Sequence, residues 1–97
     1  MKHEIILAPE AVEDFKVLSA SLRATVWDAI ETYLRNEPAS ESKSRIKRLR
    51  GLRHPQYRLR IGEIRVFYDI IGGAVEILAI VPKSEAATWL KKAGEQG

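Results

Sequence analysis

The chain has 97 residues, no cysteine, 45% hydrophobic residues and a net charge of +3. That length allows one hydrophobic core, and the missing cysteines exclude a disulfide framework, thiol chemistry and a cysteine-based zinc site. No apolar run approaches the ~20 residues that span a bilayer, and Ile5–Ala8 is too short an apolar stretch for a signal peptide. The expectation is one domain over residues 1–97, without a membrane partner, in the cytoplasm.

Residues 2–7 end in an apolar run that suits a strand. Pro9 fits the first turn of a helix, where its missing N–H is not needed, and Glu10, Glu13 and Asp14 favour that helix N-terminus. Val12, Phe15 and Leu18 then recur at helical spacing. After Ser19 and Ser21, either of which can cap, Leu22, Val26, Ala29, Ile30, Tyr33 and Leu34 mark a second amphipathic helix. Residues 36–45 are polar, contain Pro38 and have no period, as a loop does. From Ile46 the period changes to two, over 46–50, 57–61, 63–71 and 74–81. Gly62-Glu63 and Gly72-Gly73 supply hairpin turns. Pro82 then opens a short C-terminal helix. The predicted fold is α+β: an N-terminal strand, an α-hairpin, a four-stranded antiparallel meander and a short C-terminal helix. The helices are expected on one face of a mostly antiparallel sheet.

With Gly62-Glu63 as a two-residue turn, Ile61 pairs with Ile64, Arg60 with Arg65 and Arg58 with Phe67. Partners opposite each other share a face, so Arg58, Arg60 and Arg65 project together. Tyr57, Leu59, Ile61, Ile64, Val66 and Tyr68 face the helices, extended by Val75, Ile77, Ala79 and Val81. Phe67, Leu78 and Ile80 fall beside the arginines. Like charges set across strands are destabilising unless an anion neutralises them, which favours a binding face over a merely solvated one. From Lys43 to Arg65 nine basic residues stand against one acid, Glu63, so this stretch carries +8 and the remainder −5. Such clustering attracts polyanions.

Arginines on a rigid sheet suit a phosphodiester, since forked donors can hold its oxygens while charge builds on them. No metal or cofactor is expected: His3 and His54 lack a ligand motif, and no glycine-rich phosphate loop is present. Metal-free RNA cleavage needs only the 2′-hydroxyl as nucleophile, an in-line backbone and charge stabilisation, with proton transfer adding to the rate. His54 and Tyr57 are the local groups able to exchange protons.

The segments KRLRG, YRLRIGEIRVFYDI and VEILAIV resemble the RelE/ParE superfamily of bacterial toxins, in particular its RelE-like branch. The likeness spans nearly the whole chain and implies the RelE-like microbial ribonuclease fold. It also implies a metal-independent mRNA endoribonuclease, acting on the ribosome and neutralised by a cognate, RelB-like antitoxin. On that resemblance Arg58, Arg60 and Arg65 match the family's catalytic sheet arginines, and Lys83 stands where a basic group follows the last strand. Lys47, Arg48, Arg50, Arg53 and His54 are then read as RNA contacts, with Trp89 as a ring that stacks a base or packs the last helix. The tyrosine that commonly follows the last strand in the family is missing, which leaves the acid/base role open. A gyrase-blocking toxin of the same superfamily and a non-catalytic RNA-binding module are the other two readings.

Overall fold

A computed structural model describes residues 2–96. Strand β1 (Glu4–Leu7) leads into helices α1 (Pro9–Lys16) and α2 (Ala20–Ala29), and α2 continues as a wider π turn over Ile30–Leu34. Strands β2 (Ile46–Arg48), β3 (Tyr57–Ile61), β4 (Ile64–Ile71) and β5 (Ala74–Pro82) follow, and then helix α3 (Lys83–Gln96). The strands form one five-stranded sheet in the order β1-β5-β4-β3-β2. Strands β2 to β5 are the expected antiparallel meander, and β1 joins parallel to β5, which makes the sheet mixed.

Local chemistry explains the element boundaries. Pro9 opens α1, and the Ser19 hydroxyl caps α2 by accepting the Leu22 N–H at 3.2 Å. The Arg23 guanidinium donates to the carbonyls of Leu18 at 2.6 Å and Lys16 at 3.3 Å, closing the open end of α1. Gly62 and Gly72 have φ of +56° and +58°, and among the described residues no non-glycine has positive φ, as turns with glycine in the first central position require.

Ala11 of α1 and Val26, Ile30 and Leu34 along α2 bury one sheet face against Leu59, Val66, Tyr68, Val75 and Ile77. Tyr57 and Tyr68 stack with centroids 5.5 Å apart. The Tyr68 hydroxyl donates to the Pro38 carbonyl at 2.6 Å, which fastens the polar loop to the core. Burial pushes this hydroxyl's pKa up, so it stays a donor.

Several expectations are corrected. The helices do not share a face: α3 covers the opposite one, with Trp89, Leu90 and Ala86 packed on Phe67, Ala79 and Val81. Ala79 and Val81 therefore leave the helical-hairpin core, and Ile80 enters it. The cause is a bulge. Tyr68 pairs with Ile77 but Phe67 pairs with Ala79, so Leu78 has no partner and the alternation of β5 is reversed beyond it. Pro82 ends β5, with α3 starting at Lys83, and Leu22 is 43% exposed where the helical pattern placed it in the core.

Beyond the end of β1, the freed backbone of β5 finds a side chain. Asp14 accepts the Ile80 N–H at 2.9 Å. Burial, chiefly, raises the Asp14 carboxyl above its ordinary value against the pull of that N–H, and Glu10 and Glu85 add to the rise. When the folded pKa exceeds the unfolded one, the protonated form favours folding. That contribution is complete below the unfolded value and is lost as pH rises through the folded value. Asp14→Asn keeps an oxygen for Ile80 and removes the charge. Its urea midpoint should exceed that of the wild type at pH 7, with the gap closing below about pH 4. A lower midpoint at pH 7 would mean that the charged acceptor outweighs its desolvation.

Candidate nucleic-acid interface

The β3–β4 register is the one expected: Arg60 opposite Arg65, Arg58 opposite Phe67 and Ile61 opposite Ile64. Lys47 on β2 lies opposite Arg58. Lys47, Arg58, Arg60 and Arg65 therefore share the sheet face turned away from α1 and α2, in a band along the part that α3 leaves open. Four basic residues from three adjacent strands are thus gathered on one face.

The three arginines differ in environment. Arg60 is exposed. Arg65 is 6% exposed, and its Nη1 donates to the carbonyls of Gly62 at 2.7 Å and Ile64 at 3.1 Å. It is thus partly committed to holding the turn and is not the free solvent-facing prong that the strand pattern implies. Arg58 is half-buried, and its Nε is buried without a hydrogen-bond partner. Desolvation lowers its pKa from the ordinary arginine value, and the like charges of Arg65 and then Arg60 lower it further. Arginine stays protonated even so, and a partly desolvated cation with an open donor favours an incoming anion.

The remaining predicted residues divide. Arg48 pairs with Tyr57 and so belongs to the other face, where its guanidinium lies 5.0 Å from the centre of the Tyr57 ring. Its grouping with Lys47 is corrected by strand alternation. Arg50 and Arg53 are exposed in the connection between β2 and β3. Lys83 is exposed at the start of α3, and its backbone N–H donates to Glu63 at 2.7 Å, which places it beside the β3–β4 turn. Trp89 stacks on Phe67 at 4.9 Å with 5° between planes, and its indole N–H donates to Glu10 at 2.5 Å. Packing of α3 thus occupies one face of the ring and its single donor.

Asp69 was missed from sequence. It is 2% exposed on the same face as Arg65 and Phe67. Its Oδ1 accepts the Gln56 N–H at 2.7 Å, and its Oδ2 lies 2.6 Å from His54 Nδ1. The signal was available: an acid within the apolar run IRVFYDII needs bonded partners to be buried. No group of three metal-ligating side chains occurs among the described residues, and no helix among them is long and apolar enough to cross a membrane.

Residues 5–87 match the family model of the ParE toxin of type II toxin–antitoxin systems. Solved structures share the fold. A mutant of E. coli RelE in the free state superposes with a TM-score of 0.72 at 16% identity, covering 99% of this chain and 97% of that one. The toxin–antitoxin complex RelBE2 of Mycobacterium tuberculosis gives 0.70 at 22% identity, with 84% of this chain and 99% of that chain covered. The RelB–RelE complex of Methanococcus jannaschii gives 0.67 at 21% identity, covering 87% and 96%. No curated protein sequence matches at a comparable level.

The open donor of Arg58 yields a stability test. Arg58→Met keeps the apolar stem but removes a desolvated charge repelled by Arg60 and Arg65. Its melting temperature at low salt should exceed that of the wild type. The gain should shrink by about 1 M salt, where the screening length falls to ~3 Å. A variant that melts lower at every salt concentration would show that the guanidinium is satisfied where it sits.

Proposed function

The chain belongs to the ParE toxin family of type II toxin–antitoxin systems, and we propose that it acts as a metal-independent endoribonuclease, cutting mRNA on the ribosome. One observation carries this reading. Lys47, Arg58, Arg60 and Arg65 lie on one sheet face, with Asp69 the acid diagonal to Arg58 and Glu76 opposite Asp69. The forked donors of Arg58 and Arg60 grip non-bridging oxygens of the scissile phosphate as the adjacent 2′-hydroxyl attacks. Arg65, locked to the turn carbonyls, holds a fixed positive charge behind them. Lys47 and Lys83 extend the track at either side, with Arg50 and Arg53 as flexible outer contacts. The chain works as a single domain in the cytoplasm, where ribosomes are found. A cognate antitoxin with an acidic segment neutralises it by covering the cationic face.

The family match favours a second reading, inhibition of DNA gyrase without RNA cleavage. Single-turnover mRNA cleavage on translating ribosomes, run beside a DNA supercoiling assay, separates the two. The wild type should cut mRNA and leave supercoiling untouched. Arg60→Ala should lower the cleavage rate by about 10²–10³-fold with no loss of melting temperature, because Arg60 is exposed. Single-stranded RNA binding should weaken with salt at a log–log slope of roughly −3, as four neutralised phosphates imply. Blocked supercoiling with intact mRNA would establish the second reading. RNA binding without cleavage would reduce the face to a docking surface.

A further inference from the structure

We propose that His54 and Asp69 are the proton-transfer pair of this face, with His54 Nε2 as general base and Asp69 as its positioning residue. The assignment rests on the ribonuclease reading and supplies the acid/base group that the missing C-terminal tyrosine leaves open.

The pairing is built from the interior outward. The Asp69 side chain is 3% exposed and that of His54 52%. An ionised carboxylate can only accept, so opposite one the 2.6 Å contact to Oδ2 is a hydrogen bond donated by His54 Nδ1, with the Gln56 N–H donating to Oδ1. Nε2 is left with its lone pair, and among the described residues it has no partner. A carboxylate sunk in the sheet thus holds one tautomer of a half-exposed ring, the arrangement required of a base at neutral pH.

Fastening of the loop does not account for the histidine. Gln56 already ties the β2–β3 connection to the sheet: its carbonyl accepts the Leu49 N–H at 2.8 Å and its Oε1 accepts the Ile70 N–H at 2.9 Å. Position supports a role in chemistry. Arg58 pairs with Phe67, and Asp69 lies two residues further along β4, so Arg58 and Asp69 are diagonal neighbours on one face. Their Cβ atoms are about 7–8 Å apart or slightly less. Asp69 thereby holds the imidazole on the face that carries Arg58.

In the step, O2′ bonds to phosphorus while its proton passes to Nε2. The P–O5′ bond breaks, and the departing oxygen takes a proton from water. The products are a 2′,3′-cyclic phosphate and a 5′-hydroxyl. Asp69 stabilises the imidazolium until it returns its proton to solvent. The charged groups around the ring are Asp69 on β4, Glu76 opposite it on β5, Arg58 on β3 and Arg53 beside it in the chain.

The test is single-turnover cleavage of ribosome-bound mRNA across pH by wild type, His54→Gln, His54→Gly and Asp69→Asn, with RNA binding and melting measured in parallel. Asp69→Asn keeps an oxygen for Gln56 but offers its NH₂ to the ring, which selects the wrong tautomer. His54→Gln and Asp69→Asn should each lose about 10²–10⁴-fold in rate at unchanged RNA affinity. The wild-type rate should fall on acidification, and His54→Gln should lose that dependence. Added imidazole should partly restore His54→Gly. If Asp69→Asn does not fold, His54→Gln decides the matter, since its ring is half exposed. His54→Gln cutting at the wild-type rate overturns the pair and leaves the ribonuclease reading intact. A wild-type chain that cuts no RNA overturns that reading and the pair with it.

Discussion

Leu78, the residue of β5 without a partner on β4, decides what each face of the sheet carries. Before it, Val75 and Ile77 alternate into the core under α1 and α2. After it, Ile80 takes that direction while Ala79 and Val81 turn the other way, toward α3. Paired without the bulge, Ala79 and Val81 would point into the hairpin core, and Leu78 and Ile80 would turn to the other face. The bulge thus creates a second apolar seat, and Phe67 completes it. Burial of a side chain such as Phe67 contributes about 1.5–3 kcal/mol, enough to hold a short terminal helix on the sheet.

Because both faces are covered there, β4 is buried from Ile64 to Asp69. Its two charged residues can remain only where their groups are bonded. Arg65 turns to the carbonyls of its own hairpin, and Asp69 takes a backbone N–H and an imidazole. Both are held rigid by the bonds that allow their burial. On β3, Arg58 and Arg60 lie nearer to solvent, and Arg58 keeps a buried donor without a partner. Fixed charges on β4 thus stand behind a half-buried and an exposed arginine on β3, at the cost of like-charge repulsion.

The hairpin register was legible because a two-residue glycine turn fixes it, and period two then assigns every side chain of β3 and β4 to a face. The same reasoning was available for β2, where Lys47 and Arg48 must point apart; reading the basic stretch as one unit obscured it. The bulge left no mark, since AVEILAIV contains no glycine, proline or polar break at Leu78. The placement of α3 followed the bulge, so it too was hidden. Asp69 was visible as an acid in an apolar strand, but its partner His54 is fifteen positions away in a loop without a period.

The acids of α1 complete the logic of the fold. Asp14 holds the Ile80 N–H just past the bulge, where β1 has ended and β5 is a bare edge. Glu10, one helical turn earlier, holds the indole N–H of Trp89. Two carboxylates of one helix therefore join the layers on opposite faces of the sheet, around the edge that the end of β1 leaves open. Two of the chain's acids are in this way engaged in tying down β5 and α3, while the basic residues of the sheet lie across β2, β3 and the start of β4.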